Sequence, residues 1–79
     1  MGERIDFATK VRLTRVLLNS RQWAIAQTMG VAPITMNRWE TGAQVPHLTT
    51  QRMFVKFAER SGITFDERGY PSLSPSDNL

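Results

Sequence analysis

The chain has 79 residues, 41% of them hydrophobic, and a formal net charge of +3 from ten Lys or Arg against seven Asp or Glu. That length holds one small core, and the hydrophobic content is that of a folded chain rather than a disordered one. With no cysteine, disulfides, thiolate metal sites and thiol chemistry are excluded together. No apolar run reaches the length of a membrane span and no signal-peptide core opens the chain, so a soluble, cytoplasmic protein is expected.

The charge is unevenly spread. Between positions 10 and 56 lie Lys10, Arg12, Arg15, Arg21, Arg38, Arg52 and Lys56 against the single acid Glu40, a local net of +6, whereas Asp66, Glu67 and Asp77 fall near the C-terminus. Such a basic body suits a polyanion through counterion release. On charge alone a merely solvated basic surface fits equally well.

In chain order, Asp6 is placed to cap a first helix over Phe7–Leu18, with Phe7, Val11, Thr14, Leu17 and Leu18 on one face and Thr14 the polar intruder. Asn19 tolerates the left-handed conformation that ends a helix, and Ser20 is positioned to cap a second helix running to Met29. Gly30 ends it. Pro33, preset for a first turn, opens a third helix to Glu40, which Gly42 closes. Pro46 and His47 lead into a fourth helix capped by Thr49 or Thr50, with Met53, Phe54, Phe57 and Ala58 inward and Gly62 at its end. The period then shortens to two. Ile63 and Phe65 flank Thr64, Asp66-Glu67-Arg68-Gly69 has turn chemistry, and Ser72-Leu73-Ser74 alternates again. This reads as a short β-hairpin over 63–74, with one extra helical turn from Thr64 as the alternative. Residues 75–79 read as a flexible tail, leaving 1–62 as the principal domain.

The stretch Gln22–Gly42, QWAIAQTMGVAPITMNRWETG, has the residue types that two short helices need to cross closely around a tight turn. Ala26 is small where the next helix passes over it, and Gly30 permits a positive φ. Ile25, Met29, Val31, Met36 and Trp39 supply the apolar contacts that lock the crossing.

Within it, GVAPITMNRWETG resembles the GVSRSTISRWERG pattern of the XRE family, the Cro and lambda-repressor-like helix-turn-helix transcription regulators. Arg15 and Gln22 stand at the spacing of that family's helix-one arginine and its "SQ" glutamine. PHLTTQRMFVKFAERSGITF resembles a subgroup in which a P-H pair opens a long fourth helix ending in A-G-V-x-F. The resemblance spans roughly Lys10 to Phe65. It implies a mainly α, four-to-five-helix lambda-repressor-like domain, with or without a short C-terminal β-hairpin. It also implies a sequence-specific regulator, of phage or prophage type and often an autoregulatory repressor, that binds double-stranded DNA as a homodimer.

Carried over position by position, the resemblance makes Pro33, Ile34, Asn37 and Arg38 the base readers. Arg21, Gln22, Thr35, Thr41, Gln44 and Thr49 become the backbone contacts, and Arg15–Glu40 an ion pair joining helix one to helix three. The chemistry agrees: arginine makes bidentate contacts to guanine, asparagine to adenine, and isoleucine packs on a thymine methyl. Three departures stand out. Pro33 replaces the usual polar reader, Ala32 the usual serine cap, and Arg21 the Ser or Thr before Gln22, which moves readout toward Asn37 and Arg38.

The remaining residues have plainer readings. Trp39 belongs to the core, and Trp23 to partial burial, with contact to DNA or a partner as its alternative. The Arg15–Glu40 pair is either buried or exposed and worth little. His47, the only histidine, reads as a helix-start residue. No cofactor or metal ligand set is evident, and the scattered acids make no catalytic arrangement. Ile63, Phe65, Tyr70 and Leu73 are candidates for a two-fold dimer contact through the hairpin. Rival readings are the antitoxin of a toxin–antitoxin pair, with a toxin as partner, and a helix-turn-helix domain used only for protein contacts, polymerase among them.

Overall fold

Asp6 begins the first helix. Its carboxylate accepts a hydrogen bond from the Thr9 N–H at 2.8 Å, which satisfies one orphan donor of the helix end; the Thr9 hydroxyl first and its N–H second hold the carboxyl below its ordinary pKa. The computed structural model describes residues 2–74. It comprises α1 (Phe7–Leu18), α2 (Gln22–Met29), α3 (Pro33–Thr41), α4 (Leu48–Arg60), β1 (Ile63–Phe65) and β2 (Pro71–Leu73). The protein is thus mainly helical with a two-stranded antiparallel hairpin. The expected tail, 75–79, lies outside the described residues.

Helix ends follow the punctuation in the sequence, with local corrections. Asn19 takes the left-handed conformation at φ 51°, and Gly30 does so at φ 73°, where its N–H and that of Val31 close the α2 end on Gln27 and Ala26 carbonyls. Arg21, rather than Ser20, occupies the N-cap of α2, and it caps with no side-chain bond. Helix α3 runs one residue past Glu40 to Thr41. Helix α4 starts at Leu48 with His47 as N-cap, so Thr49 and Thr50 fall inside its first turn instead of capping it. The reason is the bond from the Gln51 N–H to the His47 carbonyl at 3.0 Å, with the Gln51 amide also holding Pro46 O at 2.9 Å.

Each helix sends a narrow apolar stripe to one centre. Phe7 and Val11 from α1, Ile25 and Ala26 from α2, Met36 and Trp39 from α3, and Phe54 from α4 form the core, with Met29, Val31 and Phe57 packed against it. Phe7 lies edge-on to both Trp39, at 5.8 Å between centroids, and Phe54, at 5.5 Å, the arrangement aromatic quadrupoles favour. Phe54 and Ala58 are buried as expected, but Met53 is half exposed. One residue along a helix is a turn of about 100°, so Met53 falls on the flank of a stripe centred on Phe54.

The hairpin pairs Ile63 with Leu73, Thr64 with Ser72 and Phe65 with Pro71. The Asp66 carboxylate organises its turn by accepting from the Arg68 and Tyr70 N–H groups. Strand β2 lies against α1 and β1 against α4. This packing corrects the expected dimer surface. Ile63 is buried in the protein's own core, and Phe65 is half-buried with the Lys10 ammonium 5.4 Å from its ring. Both turn inward because alternate residues of a strand share a face, and the helices cover that face. Tyr70 and Leu73 remain exposed.

Among the described residues no helix is long and apolar enough to cross a membrane. One core position carries a cost. Thr14 is fully buried on α1 and its hydroxyl has no hydrogen-bond partner among the described residues. Replacing Thr14 with the near-isosteric Val is expected to raise unfolding stability by about 1 kcal/mol, read as a higher urea midpoint at unchanged m-value. A lower midpoint would show that the hydroxyl is satisfied in solution.

Candidate nucleic-acid interface

Helix α3 has two unlike faces. Met36, Trp39 and Glu40 are buried, while Pro33, Ile34, Asn37, Arg38 and Thr41 are all exposed. Those five positions follow the i, i+1, i+4, i+5, i+8 spacing of one helical face. Thr35 sits on the flank, half-buried. All four expected base readers therefore lie together on a single outward surface held from behind by Met36 and Trp39. Asn37 and Arg38 have no side-chain hydrogen bond or ion pair among the described residues.

The acid of this helix points the other way. Glu40 is buried, and its carboxylate accepts two bonds from Arg15, from Nε at 2.8 Å and from Nη2 at 2.9 Å. Arg15 keeps 32% of its side chain exposed against 6% for Glu40, so the pair is part-buried and bidentate rather than a surface contact. Arg12 donates to the Glu40 backbone carbonyl and to the Thr9 hydroxyl. The Arg12 contact went unseen in the sequence, although its place three residues before Arg15 on one helical face was the available signal.

These bonds engage part of the basic charge. Arg15 is paired with Glu40, and Lys10 lies over the Phe65 ring, where burial first and the nearby Arg4 charge second lower its pKa. Of the seven cations between 10 and 56, Arg12, Arg21, Arg38, Arg52 and Lys56 are exposed with no ion pair among the described residues, and Arg12 alone of these five is held by hydrogen bonds, to the Glu40 carbonyl and the Thr9 hydroxyl.

The expected backbone contacts are distributed around α3. Arg21 and Gln22 stand at the start of α2, and Thr49 in the first turn of α4. Helices α2, α3 and α4 all begin with no side-chain cap, unlike α1 with Asp6, and none of them has an acid in its first turn. Their leading N–H groups carry the positive end of the helix dipole, which favours anions. The Gln44 N–H bonds the Arg38 carbonyl at 3.2 Å, which holds the loop against the end of α3. The Thr41 hydroxyl is partly engaged, donating to the same carbonyl and accepting from the Ala43 N–H.

Two aromatic readings part company. Trp39 is core, with its indole Nε1 buried and unpartnered among the described residues. Trp23 is 57% exposed instead of half-buried; as the second residue of α2 it lies on the flank of the stripe, and Ile25 and Ala26 take the core-facing positions. Met53 lines an open cleft of about 440 Å³ between α2 and α4, with Met29, Phe57, Lys56 and Arg60. Comparison with protein-family models, curated proteins and solved structures finds no match to the chain.

Removing one member of the Arg15–Glu40 pair strands the other. Arg15→Ala is expected to cost about 3 kcal/mol, measured by urea unfolding. Joint replacement of Arg15 and Glu40 by Met should recover most of that loss. Equal losses in the single and the double variant would contradict the coupling.

Proposed function

We propose that this protein is a sequence-specific double-stranded-DNA-binding regulator of transcription, a helix-turn-helix protein of the lambda-repressor-like type in which α2 and α3 form the paired helices. The observation that carries the proposal is the composition of the outward face of α3. Pro33, Ile34, Asn37, Arg38 and Thr41 are exposed on it, and the one acid of the helix is turned inward and neutralised by Arg15. An amide and a guanidinium one turn apart from an apolar pair match what base edges offer in the major groove, and they need no competing partner to be displaced. Uncapped starts of α2 and α4, with Arg21, Gln22 and Thr49, supply the phosphate contacts that set register without reading sequence.

A single domain of this size contacts few base pairs, so tight binding calls for a symmetric pair reading an inverted repeat. The exposed apolar residues of the hairpin, Tyr70 and Leu73, make the dimer contact in this proposal, and Ile63 and Phe65 serve the fold instead. Bound across a promoter, such a dimer represses by excluding polymerase.

The test is selection from a random duplex library, repeated at higher salt. An enriched inverted repeat bound with steep salt dependence is expected. Salt-sensitive binding with no enriched sequence, or no binding, contradicts the proposal. On the selected site Arg38→Ala should weaken binding about 5- to 150-fold, the equivalent of about 1–3 kcal/mol, and relax specificity at one base pair. Leu73→Glu should yield folded monomers in sedimentation equilibrium, whereas persistent dimers would remove the hairpin from the interface.

A further inference from the structure

The first two residues of α3 present no polar side chain. Pro33 has neither an N–H nor a polar side-chain atom, and Ile34, 56% exposed, is purely apolar. A lone exposed isoleucine is ordinary on a protein surface. Here it is one of two consecutive apolar residues at the tip of a face whose next turn carries Asn37 and Arg38, both exposed. Val31, three residues earlier, packs against the core, so the chain had a buried apolar environment at hand and α3 directs Ile34 away from it. Its orientation is set, because Met36 and Trp39 anchor the opposite face and a β-branched side chain in a helix keeps essentially one χ1 rotamer.

Resting on the DNA-binding reading above, we propose that Pro33 and Ile34 read the C5-methyl group of a pyrimidine, so that thymine is distinguished from cytosine by its methyl rather than by a hydrogen bond. Among the groups a base pair displays in the major groove, the thymine methyl is the apolar one. Ile34 and Arg38 are four residues apart on the same face, about 5–6 Å between Cβ atoms, which is less than two base-pair steps of about 3.4 Å. The methyl therefore belongs to a pyrimidine within about two base pairs of the guanine that Arg38 contacts.

The experiment uses the site recovered by duplex selection and replaces each thymine in turn with deoxyuridine, which deletes the methyl and keeps every hydrogen-bonding atom. At one or two thymines per half-site the unaltered protein should lose about fourfold in affinity, the change corresponding to one methyl's burial. Those thymines should lie within about two base pairs of the position relaxed by Arg38→Ala. In Ile34→Ala the penalty at the same deoxyuridine sites should fall well below fourfold, because only Pro33 is left to sense the methyl; Arg38→Ala should retain the full penalty. Equal binding of every deoxyuridine duplex by the unaltered protein overturns the inference while DNA recognition stands, as does an undiminished penalty in Ile34→Ala. A library with no enriched sequence overturns the functional proposal and this one with it.

Discussion

The bond between Arg15 and Glu40 is the constraint on which the outward surface depends. Glu40 is the only acid between positions 10 and 56, and it sits on the helix whose opposite face carries Asn37 and Arg38. Free in solvent, its charge would repel a phosphate backbone within a few ångströms of those side chains. Turned inward, it would be a buried charge of high cost. The bidentate guanidinium at 2.8 and 2.9 Å resolves both problems, and it ties α3 to α1 in a fixed rotation. Arg12 adds a second tie from the same helix to the Glu40 carbonyl. A pair of this kind contributes more to where α3 points than to net stability, because desolvation offsets much of the attraction.

Packing completes what the ion pair begins. Trp39 and Met36 seat α3 on Phe7, Val11, Ile25 and Phe54, and Ala26, fully buried, leaves room for the close approach of α2. Core rigidity has a consequence for recognition. Side chains on a helix anchored along its whole inner face are preorganised, so less ordering entropy is spent when they meet a partner. The hairpin extends the same core, with Ile63 closing it beside α4 and β2 lying on α1. Its turn is organised locally by Asp66 and leaves Tyr70 and Leu73 as the outward apolar residues.

Much of this architecture was legible in the sequence because it rests on local rules. Asp6, Asn19, Gly30, Pro33 and Gly42 mark helix ends through capping and φ preferences that act within a few residues. Apolar spacing identified Phe7, Val11, Ile25, Met36, Trp39 and Phe54 as core, and the change of period at Ile63 identified the hairpin. The four residues proposed to face base edges share a face by helical geometry alone. Where local signals compete, spacing alone does not choose between them. Thr49 and Thr50 looked like caps, yet the backbone bond of Gln51 to His47 began the helix earlier. The sequence reads Trp23 as partly buried, but the core-facing positions of α2 belong to Ile25 and Ala26.

Residue types and their periodicity by themselves determined four helices, a hairpin and the two faces of α3, since each follows from spacing along the chain. Only the tertiary structure decided which of the many cations are engaged. Lys10, Arg12 and Arg15 find partners on Phe65, the Glu40 carbonyl and the Glu40 carboxylate, all 25 or more residues away in sequence, while Arg21, Arg38, Arg52 and Lys56 are exposed with no ion pair among the described residues. It likewise decided that Ile63 and Phe65 serve the fold while Tyr70 and Leu73 stay exposed. A two-residue period says that alternate residues share a face. Which face is covered, and how far the cover reaches, depends on where α1 and α4 lie: Leu73 shares the face of its partner Ile63 yet stays exposed. No local rule carries that information.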